Sequence, residues 1–141
     1  MTSTRSHQTL RALLFTFSAI AGIASLVLIF APSWPLAFAP GSVPPPANAF
    51  EFAILRAFGV AVLVIAYLLC AAARDPIRYA AIIDGFIFLL VAFAILNIYW
   101  FVGQQLVAYY PSVYLIVRAI VQVILALVLF RLRPKNVTAR A

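Results

Sequence analysis

Four runs of apolar residues, at about 11–31, 51–73, 76–100 and 112–131, fix what this chain can become. Each meets the roughly 20 residues that a helix needs to cross the hydrocarbon core of a bilayer. Hydrocarbon offers no partner to a backbone N–H or C=O, so runs of this length must satisfy those groups internally, as helices. The chain has 141 residues, 67% of them hydrophobic and 9% charged, with a mean hydropathy of +1.13. Little is left for a soluble domain. The expected fold is all-α: one domain over 1–141, an integral membrane antiparallel four-helix bundle.

The distribution of charge sets the expected orientation. A net charge of +7 suggests nucleic acid at first sight, but the basic residues sit at particular span ends. Arg5 and Arg11 precede or open the first span, Arg74 and Arg78 flank the middle turn, and Arg131, Arg133, Lys135 and Arg140 follow the last. The connections 32–50 and 101–111 hold no Lys or Arg. By the positive-inside rule both termini and the 74–78 turn are cytoplasmic. The bilayer, not nucleic acid, is the expected partner.

Along the chain, residues 1–10 are polar and read as a loosely held tail. The first apolar run is longer than the core of a secretory signal, and the nearby small-residue pair Ala37 and Ala39 is followed by Pro40, which disfavours a cleaved leader. Ser18, Gly22 and Ser25 form a stripe of small residues suited to close helix approach. Between 32 and 50, Pro32, Pro35, Pro40, Pro44, Pro45 and Pro46 exclude a helix, and Trp34 and Phe38 suit the outer interface. In the turn Arg74-Asp75-Pro76, Asp75 suits an N-cap and Pro76 the first helical position. The second and third helices are therefore expected to be adjacent and antiparallel. Tyr99, Trp100, Tyr109 and Tyr110 mark the outer boundary again. Cys70, the only cysteine, reads as a small buried hydrophobe with no disulfide partner.

Ionisable and amide side chains inside the spans are the candidate site. A charge at the centre of the bilayer costs roughly 3 kcal/mol on insertion scales, so such groups are expected to turn toward partners within the protein. Counting about 1.5 Å per residue from the cytoplasmic ends, Tyr67, Ser18, Asp84 and Gln122 fall about 9–13 Å deep, and Arg118 near 20 Å. Arg56, Asn97 and Glu51 form an outer layer at about 25–33 Å. Two arginines and two carboxylates within the spans sum to zero charge. The expectation is that Asp84 and Arg118 neutralise each other in the interior, with Tyr67 and Gln122 adding hydrogen bonds. Glu51, Arg56, Tyr67, Asp84, Arg118 and Gln122 then either fix helix register only or, through the arginines, hold a lipid headgroup or a quinone.

Several chemistries lack their residues. Haem between helices needs axial ligands, normally histidine, and His7, the only one, lies in the tail. No cluster of Cys, His and carboxylate suits a metal, and no glycine-rich phosphate loop occurs. The expected cofactor is none, with quinone as the candidate ligand, and no independent catalysis is expected. Size and span count also fit a small proton-coupled transporter. Exporters of that kind place an essential glutamate in the first span, where this chain has no acid, so Asp84 would have to serve.

The order of parts, with a Pro-rich outer loop, a second helix opening on Glu51 and Arg56-Ala57-Phe58-Gly59, and an Arg-Asp-Pro turn before two further helices, resembles the DoxX-like and BphX-like four-helix bacterial membrane families. Some DoxX proteins are small subunits of a quinone-linked oxidoreductase. The resemblance implies a multi-pass protein of the bacterial inner membrane, acting as an accessory subunit; a larger membrane complex or a homo-oligomer is the expected assembly. It carries over no catalytic residue.

Overall fold

The computed structural model describes residues 2–33, 49–103 and 112–134. They form four helices and no strand: α1, Thr2–Phe30; α2, Ala49–Arg74; α3, Ala80–Val102; and α4, Ser112–Leu132. All four are long and apolar enough to cross a membrane. The protein is an all-α, multi-pass membrane four-helix bundle. Residues 34–48 of the Pro-rich segment, with Trp34 and Phe38, and Tyr109 and Tyr110, lie outside the described residues; Ala49 and Phe50, expected in that segment, already belong to α2.

The helices pack as two pairs. α1 lies along α2 and α3 along α4, whereas α2 and α3, although joined by a short turn, meet sparingly. Adjacency of the second and third helices thus holds at their shared turn and not along their length. The pairs come together in one core, with Leu10 and Leu14 from α1, Leu69, Ala72 and Ala73 from α2, Ile83 from α3 and Leu129 from α4. Phe17 and Phe86 add a ring contact across it, with centroids 5.7 Å apart. All these residues lie toward the end that carries Arg74 and Arg78. Farther along, large apolar side chains such as Ile23, Phe50, Phe88, Ile95 and Val117 face outward, as they do when lipid is the solvent.

Residues 2–10 are a correction to the expected tail: they are the first turns of α1. The reason is Leu10, which is fully buried one turn before Leu14 and packs with it on the same core. Cys70 is a free thiol, half-buried.

Close approach of α1 and α2 is built on small residues. A Cβ added at Gly59 would lie 2.9 Å from Ile29 Cγ1, 3.0 Å from Leu28 Cβ and 3.1 Å from the Ser25 carbonyl oxygen. One step along the same contact, the Ser18 hydroxyl donates to the Ala66 carbonyl at 2.7 Å, and Ser25 is fully buried, donating to the Gly22 carbonyl at 2.7 Å. Ser18 and Ser25 therefore act as the stripe predicts. Gly22 does not, because a Cβ there would meet nothing within 4 Å; the glycine that admits the neighbour is Gly59, on the opposite helix.

Candidate functional site

The polar side chains inside the spans are placed by three local arrangements. At the 75–79 turn, the Asp75 carboxylate accepts the Arg78 N–H at 3.1 Å. This bond closes the turn and corrects the expected helix cap: α3 begins only at Ala80, after four residues of turn, and its N-cap is Tyr79. On the other side of this turn, Arg11 Nε donates to the Ala73 carbonyl at 3.0 Å. A cation there meets the exposed carbonyls and negative dipole end of α2 and ties α1 to it.

The second arrangement corrects the expected charge pair. Asp84 is bridged by Arg133, with Nη1 3.1 Å from Oδ1, and both side chains are roughly half exposed, at 49% and 40%. Arg133 also lies over the Phe130 ring, 4.2 Å from its centroid. Arg118 is not the counterion. Because α3 starts at Ala80, Asp84 sits in its first turns, about 6 Å along the axis, and is level with the last turn of α4. Arg118 is 15 residues before Arg133, about 22 Å away along α4. No rotation of a side chain spans that gap.

The third arrangement is an amide pair. Asn97, 2% exposed, donates from Nδ2 to the Phe93 carbonyl at 2.9 Å and to Gln122 Oε1 at 2.8 Å. The Phe93 carbonyl fixes the orientation, since a flipped amide would set oxygen against oxygen. Asn97 Oδ1 is buried and has no partner among the described residues. Together with Asp84 and Arg133, this pair sets the register of the α3–α4 hairpin. Depth along the sequence separates Asn97 from Gln122; antiparallel pairing across the α3–α4 connection, in which paired residue numbers have a nearly constant sum, is the signal that brings them opposite each other.

The remaining predicted residues do not join an interior network. Tyr67 is 73% exposed on α2, so it adds no hydrogen bond to Asp84. Arg56 and Arg118 are exposed. Glu51 is exposed in the first turn of α2, where a carboxylate complements the positive end of the helix dipole. Asp84 and Gln122 thus take part in pairing α3 with α4, with Arg133 and Asn97 as their partners. Among the described residues no three His, Cys, Asp or Glu side chains gather as a metal site would require.

Comparison with protein-family models, with curated proteins and with solved structures yields no match to this chain.

Proposed function

We propose that the chain is a small accessory or structural subunit of a larger membrane assembly, and that it presents Arg56 and Arg118 to whatever lies beside it. The observation that supports this reading is the exposure of both arginines within apolar spans. An arginine facing hydrocarbon costs about 2.5–3.5 kcal/mol on insertion scales. A neighbouring subunit, a lipid phosphate or a quinone carbonyl would offset that cost, and Arg56 and Arg118 each lie within about 11 Å of the outer end of their helix, where such groups are in reach. The order of parts resembling the DoxX-like families agrees with a subunit of a bacterial inner-membrane redox complex. In this reading the chain performs no catalysis of its own.

The competing class, a proton-coupled transporter built on Asp84, draws less support. Asp84 lies at the basic end, partly exposed and bridged to Arg133, which suits a clasp between helices better than a carrier site in mid-membrane.

Gentle solubilisation at native expression, followed by mass spectrometry of what co-purifies, tests the proposal. The wild-type chain is expected to bring companions that the Arg56→Gln/Arg118→Gln variant loses while remaining folded. A wild-type chain recovered as a bare monomer, or companions indifferent to both arginines, would count against it.

A further inference from the structure

The sparse contact between α2 and α3 leaves a groove of about 340 Å³ between the two helix pairs. Its walls are apolar, with Ile65, Leu68 and Leu69 on α2 facing Ile82, Gly85 and Phe88 on α3. A Cβ added at Gly85, on the groove wall, would meet nothing within 4 Å, so the space beside it is open. The groove is half open to the surroundings, and Phe88 at its edge is 75% exposed, so a chain dissolved in the bilayer can enter sideways.

The groove's lining stops at Leu69 and Ile82, five residues before Arg74 and four after Arg78. Both arginines are exposed. Arg11 is held at the same end through the Ala73 carbonyl. Asp75 is the one carboxylate within the turn, and it is occupied by the Arg78 N–H. The nearest other acid, Asp84, is bridged by Arg133. Three guanidinium groups against the Asp75 carboxylate leave the turn net positive. The first turn of α3, where Tyr79 makes no side-chain cap, adds the positive end of a helix dipole.

An apolar groove with a cationic turn a few residues beyond its end has the polarity of one kind of molecule. We infer that the α2–α3 groove holds an acyl chain of an anionic glycerophospholipid, with its phosphate at Arg74 and Arg78. The acyl chain fills space that these helices leave between them, and the headgroup meets charge at the level of the interface, where each basic residue strengthens attraction for anionic lipid. This inference rests on the membrane fold and is independent of the subunit reading.

The test uses the full chain in a neutral detergent, with native mass spectrometry after addition of phosphatidylglycerol or of phosphatidylcholine with the same acyl chains. The wild type is expected to retain phosphatidylglycerol on the order of tenfold better. Arg74→Gln/Arg78→Gln, on an exposed turn, should reduce that preference to about twofold or less. Gly85→Leu, which projects into the groove, should remove binding of both lipids; Leu68→Trp, from the opposite wall, is a second block should the first variant fail to fold. Gly22→Leu, in open space on α1, should bind as the wild type does. The inference is overturned if the two blocked variants bind phosphatidylglycerol normally, if the double arginine variant keeps its preference, or if Gly22→Leu loses binding as Gly85→Leu does.

Discussion

Substituting Gly59 by alanine probes the contact on which the α1–α2 pair depends. The added methyl would lie 2.9 Å from Ile29 Cγ1, 3.0 Å from Leu28 Cβ and 3.1 Å from the Ser25 carbonyl oxygen. Ile29 Cγ1 can swing away, but a Cβ and a backbone oxygen move only with their helix. The pair must therefore separate by a few tenths of an ångström, and overpacking of this kind costs about 1–3 kcal/mol. Against it stands the better helix propensity of alanine, about 1 kcal/mol. Gly22→Ala carries the same propensity gain with no clash, since nothing lies within 4 Å of its new methyl. Both sites are well inside helices, so the propensity contribution cancels in the comparison. Gly59→Ala is then expected to be about 1–3 kcal/mol less stable than Gly22→Ala. Reversible unfolding in mixed micelles, followed by circular dichroism as denaturing detergent is titrated in, measures the difference. Equal stabilities, or a Gly22→Ala variant weaker than Gly59→Ala, would refute the packing described for this pair.

Further outcomes follow from the polar contacts. Gln122→Leu removes one acceptor of Asn97 Nδ2 while leaving the Phe93 carbonyl; the expected loss is about 0.6 kcal/mol, the mean for hydrogen bonds between membrane helices, and no more than about 1.7 kcal/mol, measured in the same unfolding titration. Asp84→Asn breaks a partly exposed ion pair, so it should cost no more than about 1 kcal/mol, and the difference from wild type should shrink as salt is raised. In proteoliposomes, a pH-gradient flux assay should show no Asp84-dependent transport; a flux abolished by Asp84→Asn would favour the transporter class. Arg118→Gln should leave unfolding unchanged within about 0.5 kcal/mol, because its side chain is exposed and away from the α3–α4 bridges.

What could be read from the residues, and what could not, divides along a physical line. Span number and order follow from apolar length alone, and the Asp75 contact that closes the turn follows from local chemistry. Facing direction is harder: when the whole circumference of a helix is apolar, no polar stripe tells inside from outside. Read from the sequence alone, Tyr67 and Gly22 therefore turn inward, whereas one is exposed and the other borders open space. Register failed for a different reason. Pro76 fits a helix start, yet residues 76–79 form a turn and α3 begins at Ala80, so depth counted from Pro76 placed Asp84 too far in and made Arg118 its neighbour. Gln122 was correctly singled out, but its partner is Asn97. The groove beside Gly85 was invisible because two helices joined by a short turn were expected to pack along their length.

The central claim is the α3–α4 register, which uses Asp84 and Gln122 to hold the hairpin and leaves Arg118 facing outward. Cysteine pairs in a Cys70→Ser background test it most directly, with a short bifunctional thiol reagent applied to intact membranes. Asn97→Cys/Gln122→Cys, at the 2.8 Å amide contact, is expected to be bridged between α3 and α4 efficiently, and Asp84→Cys/Arg118→Cys not at all. A bridge between positions 84 and 118, with none between 97 and 122, would contradict the account.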